Sequence, residues 1–76
     1  MEINAFLGNF VSILDDTDEA LITSETIFRD LEEWDSLTAL SLIAMIDEEY
    51  SLKLTGEDIK SSTTLQDIFE KIKNKE

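Results

Sequence analysis

Residues 33–50 read Glu33-Trp34-Asp35-Ser36-Leu37-Thr38-Ala39-Leu40-Ser41-Leu42-Ile43-Ala44-Met45-Ile46-Asp47-Glu48-Glu49-Tyr50, and this stretch decides the fold. It contains no Gly or Pro. At about 100° per residue, Ala39, Leu40, Leu42, Ile43, Ile46 and Tyr50 fall on one broad arc, with Met45 on its flank. That pattern predicts an amphipathic helix from about Ser36 to Tyr50, opened by Asp35 or Ser36 as N-cap. Leu37 is the misfit, because it projects to the polar side with Ser41, Ala44 and Glu48. A large apolar residue there is either a chance exposed leucine or a docking contact.

Upstream, Ile3, Phe6, Leu7, Phe10, Val11, Ile13 and Leu14 have the i, i+3, i+4, i+7 spacing of a first helix over 3–14. Gly8 sits on its polar side and weakens it by about 1 kcal/mol relative to Ala. Asp15, Asp16 and Asp18 follow at the unfavourable end of the helix dipole. This end is therefore expected to fray or to attract a cation. Residues 17–35 have no sustained period, and so long a loop needs local structure or a job of its own. Ile22, Phe28 and Leu31 should pin it to the helices, with a helical turn near Phe28–Leu31 and the Trp34 indole as a further anchor.

Downstream, Ser51–Leu54 reads as a loop. Thr55-Gly56-Glu57-Asp58 has the signature of a capped helix start, giving a short third helix over about Gly56–Lys60. Thr63-Thr64-Leu65-Gln66-Asp67 is a second start signal, in which either threonine could cap. Leu65, Ile68, Phe69 and Ile72 form the apolar stripe of a last helix, and Lys71, Lys73 and Lys75 suit its C-terminal end. The fold class is all-α: four helices, the third short, with a long loop between the first and second, forming one domain over 1–76.

Composition bounds the function. The chain has 76 residues, no Cys, no His and no Pro, and glycine only at Gly8 and Gly56. Disulfides, a thiolate nucleophile, zinc-thiolate sites and a histidine base are thereby excluded, and a core this small supplies about 3–5 kcal/mol. Six basic against eighteen acidic residues leave a net charge of −12. Nucleic acid needs a basic footprint that is absent. Partners with basic surfaces fit the charge, although acids also serve plain solubility. The sequence lacks a signal-peptide pattern and any membrane-length apolar run, so a cytoplasmic location without membrane insertion is expected.

A Ser-His-Asp arrangement cannot be built. The Asp16–Leu21 segment lacks the third acid and the glycine of an EF-hand, and no Gly-rich phosphate loop exists. A non-catalytic surface with no metal site is expected instead. Ser36 is the candidate on it. A serine before a helix is ordinarily a cap. A phosphate ester in the same place would meet free backbone N–H groups and the positive end of the dipole.

Trp34-Asp35-Ser36-Leu37, the helix down to Glu48-Glu49-Tyr50, and Thr63-Thr64-Leu65-Gln66-Asp67 together resemble the acyl carrier proteins, over nearly the whole chain. The resemblance implies a four-helix bundle whose Ser36 carries 4′-phosphopantetheine, donated by coenzyme A through a phosphopantetheinyl transferase that uses Mg²⁺. The arm's thiol would hold acyl groups as thioesters for acyl-loading and acyl-processing enzymes with basic surfaces, in fatty-acid, polyketide or related biosynthesis. It further implies that Asp35 serves transferase docking or caps the helix, that Leu37 inserts into partners, and that Asp47, Glu48 and Glu49 meet their basic patches. A monomer is expected. Two departures stand out. Trp34 replaces the glycine frequent two positions before the serine, and Thr38 and Ser41 stand where many members carry acids. The second makes the start of this helix more neutral and suggests a specialised carrier. Two other readings are a discrete aminoacyl carrier, such as a D-alanyl one, and an acidic interaction module in which Ser36 is only a cap.

Overall fold

The computed structural model describes residues 2–75. Among the described residues there are four α-helices: α1 (Ile3–Ser12), α2 (Ser36–Tyr50), α3 (Gly56–Lys60) and α4 (Leu65–Lys75), with 3₁₀ turns at Glu19–Leu21 and Phe28–Asp30. The all-α architecture, the short third helix and the long first loop are those the sequence predicts.

The core is built from the predicted stripes. Phe6 and Phe10 of α1, Leu42 and Ile46 of α2, and Leu65, Ile68 and Ile72 of α4 are fully buried together with Phe28 of the loop. Phe6 lies 5.9 Å from Phe69 and 6.5 Å from Tyr50, centroid to centroid. Asn9 donates to the Tyr50 hydroxyl at 3.0 Å and ties α1 to the far end of α2. Burial of this kind is the main source of stability in so small a chain.

Helix α2 is rotated relative to the predicted arc. Leu40, predicted to face the core, is 62% exposed, whereas Met45, placed on the flank, is buried. The buried set of Leu42, Met45 and Ile46 centres the core face roughly 80° further round the helix at 100° per residue. The reason is tertiary: α1 packs on α2, and Leu42, Met45 and Ile46 join one buried cluster with residues of α1 and α4, whereas Leu40 lines an open cavity toward α3. Leu37 is 73% exposed, as its position predicts. The helix ends at Ser51, in the left-handed conformation with φ of 55°, where its N–H reaches the Asp47 carbonyl at 3.0 Å.

The segment after α1 does not fray as expected. The helix stops at Ser12, two residues early, and Ile13 and Leu14 close it with bonds to the Phe10 and Val11 carbonyls. The next three N–H groups, of Asp15, Asp16 and Thr17, all donate to the Glu33 carboxylate, and the Thr17 hydroxyl adds a fourth bond at 2.8 Å. These donors hold the Glu33 carboxyl below the usual range, the Asp15 N–H contributing most. One acid thus takes up donors that would otherwise face water. Among the described residues no group of three or more acids is arranged to hold a metal ion.

The long loop is anchored along its length. Ile22 and Phe28 are buried, and Leu31 and Trp34 pack against the core from a half-buried position. Trp34 lies 4.9 Å from Phe28 and 6.5 Å from Phe10. Leu21 and Ile27 remain exposed. A further tie was not legible in the sequence: the loop runs antiparallel to the start of α4, where Leu65 and Gln66 donate to the Thr26 and Ser24 carbonyls at 3.1 and 2.9 Å.

Candidate functional site: the exposed serine at the start of α2

Three helices open with an acid and a hydroxyl within three residues of each other, and the chain uses them in two ways. At α3, Thr55 accepts from the Asp58 N–H at 3.1 Å while Asp58 accepts from the Thr55 N–H at 3.0 Å, a reciprocal capping box. At α4, Thr64 accepts from the Asp67 N–H at 3.2 Å, and Asp67 accepts from the Thr63 and Thr64 N–H groups at 2.9 and 3.1 Å. Thr64 is therefore the cap of the two threonines left open by the sequence. In both places the hydroxyl is consumed.

At α2 the cap is the acid. Asp35, in extended conformation, accepts from the Thr38 N–H at 2.8 Å. The Thr38 hydroxyl lies within donating distance of Asp35 Oδ1 (3.0 Å) and of the Glu33 carbonyl (2.9 Å). The Thr38 N–H, followed by the Thr38 hydroxyl, holds the Asp35 carboxyl below its ordinary value. Ser36, the first residue of the helix, is exposed, and its hydroxyl takes part in no hydrogen bond among the described residues. The side chain stands exposed at the positive end of a 15-residue helix. A phosphodiester there gains from the helix dipole and displaces no internal contact. The residues present thus fit a phosphate-linked group.

An open cavity of about 500 Å³ begins at this serine. One wall is a single face of α2, formed by Ser36, Ala39, Leu40 and Ile43; the other is Gly56, Ile59 and Lys60 of α3, with Arg29 and Trp34 from the loop. Arg29 fixes the far wall. Its Nη2 donates to the Ile59 and Lys60 carbonyls at 2.9 and 2.7 Å and also to Ser62 O, and its guanidinium lies 5.0 Å over the Phe28 ring. The last carbonyls of a five-residue helix thereby gain a cationic donor. Sequence reasoning missed this role. The available signal was isolation, since Arg29 is the only basic residue before Lys53.

The other candidate residues spread along α2. Leu37 is exposed one position after the serine, and Asp47, Glu48 and Glu49 are exposed at the opposite end of the helix. They are not brought to one point: ten residues separate Leu37 from Asp47, about 15 Å at helical rise. Asp47 is engaged within the chain, 3.0 Å from the Lys53 ammonium. From Ser36 to Ile46 the helix carries no charge at all. No helix among the described residues is long and apolar enough to cross a membrane.

With this geometry in place, the comparison with known proteins is direct. Residues 5–72 match the family model for the phosphopantetheine attachment site, and the chain belongs to that family, whose domain is the site of covalent 4′-phosphopantetheine attachment. The acyl carrier protein of Buchnera aphidicola subsp. Baizongia pistaciae (strain Bp) is 34% identical over 55 residues, which is 72% of this chain and 70% of that protein.

Proposed function

We propose that this chain is an acyl carrier whose prosthetic arm is attached at Ser36. The observation that carries the reading is the division of labour at the start of α2: Asp35 caps the helix, leaving the neighbouring hydroxyl exposed and uncommitted. In the loading step, on a separate Mg²⁺-dependent transferase, Ser36 Oγ attacks the pyrophosphate phosphorus of coenzyme A nearer the pantetheine. An Oγ–P bond forms, the P–O bond to adenosine 3′,5′-bisphosphate breaks, and the hydroxyl proton passes to a base on the transferase. This chain has no histidine to supply that base.

When bound, 4′-phosphopantetheine supplies a terminal thiol that holds an acyl group as a thioester. The protein's own part is presentation and docking. The N-terminus of α2 orients the phosphodiester, the cavity between α2 and α3 shelters the cargo, and Leu37 seats in partner surfaces. Asp47, Glu48 and Glu49 steer enzymes with basic patches, a role in which exposed acids act mainly on encounter rate. The uncharged start of α2 supports a specialised partner set within fatty-acid, polyketide or related biosynthesis. The protein works as a cytoplasmic monomer with no catalytic group of its own.

The test is intact mass. Incubation with coenzyme A, Mg²⁺ and a broad-specificity transferase adds one phosphopantetheine per chain, with the modification mapped to Ser36 by peptide analysis. An unmodified chain, or modification at another hydroxyl, would leave Ser36 as an ordinary surface residue and favour the acidic interaction module.

A further inference from the structure

The cavity beside Ser36 differs in charge from the rest of the surface. The chain carries six basic residues against eighteen acids, yet two of the six, Arg29 and Lys60, border this cavity. Two other cavities of comparable size have no basic residue among the described residues that line them. One, of about 540 Å³, is lined by Asp16, Asp18, Asp30, Glu32 and Glu33, and the other includes Glu19. The single acid at the Ser36 cavity, Asp35, already accepts from the Thr38 N–H.

Lys60 has no partner among the described residues. Its ammonium makes no hydrogen bond or ion pair among the described residues, whereas Lys53 and Lys75 pair with acids and Lys71 donates to Ser61. Arg29 spends one of its nitrogens, Nη2, on the α3 carbonyls, which leaves Nε and Nη1 without partners among the described residues. An Arg fork of this kind fits a carboxylate. The remaining walls, Trp34, Ala39, Leu40, Ile43 and Ile59, suit a short hydrocarbon segment. Apolar walls with a few placed polar groups are the usual composition of a ligand pocket.

From this arrangement we infer that the cargo lodged in the cavity is an acyl group carrying a carboxylate a few carbons from its thioester, held by Arg29 and Lys60. The inference rests on the carrier reading of Ser36. It deepens that reading by assigning a chemical class to the cargo. The phosphate of the arm is a second anion that these cations could meet, but it is common to every loaded form and cancels when two cargoes are compared.

The experiment loads the full chain from pentanoyl-coenzyme A and from glutaryl-coenzyme A, which have equal carbon number and differ in the terminal carboxylate. Thermal unfolding is followed at low salt. The glutaryl form should melt about 2–5 °C above the pentanoyl form, the size expected of a partly exposed ion pair in a domain of this length. Global charge predicts the opposite sign, because one more negative charge on a −12 chain adds repulsion. Lys60→Glu should abolish or reverse the difference, and the Arg29 Nε–H resonance should move in the glutaryl form alone. Lys60 serves as the varied residue because its side chain supports no other element, whereas loss of Arg29 also frees the end of α3. Equal melting temperatures for the two forms, or a difference that Lys60→Glu leaves intact, would overturn the inference while leaving the carrier standing. No mass gain on loading removes the carrier reading, and this inference with it.

Discussion

The starts of α2 and α4 are built from similar residues and end in opposite states. At α4 the Thr64 hydroxyl caps, Asp67 answers it, and the next residue, Leu65, is fully buried. At α2 Asp35 caps, the next residue is Ser36, and the leucine after it is exposed. Giving the cap position to a carboxylate instead of a hydroxyl leaves the serine that follows it free at the helix tip. The lesson is that a hydroxyl is available for chemistry only where another group has met the backbone's demand for an acceptor.

The largest expected break of this comparison is all-or-none. Ser36→Ala should abolish phosphopantetheine addition, read by intact mass, while keeping wild-type helicity, because an exposed first-turn substitution that touches nothing stays within about 0.5 kcal/mol. Thr64→Ala should leave addition intact. Modification of Ser36→Ala at the wild-type rate would show that the two helix starts do not differ in this way.

Next in size are the two leucines. Leu65→Ala removes a fully buried side chain and should cost about 2–5 kcal/mol in urea unfolding, enough to threaten a domain of this size. Leu37→Ala should change stability by less than about 0.5 kcal/mol while slowing modification or transfer by partner enzymes. A substantial stability loss at Leu37 would mean it packs within the chain rather than waits for a partner.

Smaller again is the cap itself. Thr64→Ala should cost about 1 kcal/mol, a fall of roughly 4–8 °C in melting temperature, which calorimetry can resolve from the unchanged value expected for Ser36→Ala.

The smallest effect concerns pH. The Asp35, Asp58 and Asp67 carboxyls are all held below their ordinary range, the first by the Thr38 N–H, the second by the Thr55 N–H and the third by the Thr63 N–H. Glu33 is likewise held below its ordinary range, by the Asp15 N–H before its other donors. Groups depressed in the folded state stabilise it above their unfolded values, and that contribution is lost as pH falls through the folded ones. Asp35→Asn should therefore be less stable than wild type at pH 7, with the gap narrowing below about pH 3.8 as the wild-type acid is neutralised. A gap that stays constant between pH 7 and pH 3 in urea melts would argue that the Asp35 charge plays no part in the cap.

Much of this was legible in the chain. The stripes of α1 and α4, the capping box at Thr55–Asp58, and the bounds of α2 follow from local spacing and cap chemistry. These involve residues three or four apart and need no knowledge of the rest of the fold. The candidate serine was legible for the same reason, since Asp35 stands beside it and can cap in its place. Leu40 was misassigned because a periodic arc gives a direction only to within the width of its own stripe. Which part of that arc is covered depends on which helices pack against it. Glu33 was missed because its three backbone donors lie 16–18 residues away, and no local pattern links an acid to bare N–H groups at that distance.

The sequence by itself determined the helices, their caps, the acidic character and the position of one serine, because each rests on short-range spacing or on composition. Only the tertiary structure decided that α2 turns Leu40 outward, that Glu33 gathers the end of α1, and that Arg29 and Lys60 meet beside the serine. Those outcomes depend on which distant segments share space, and chain proximity carries no information about that.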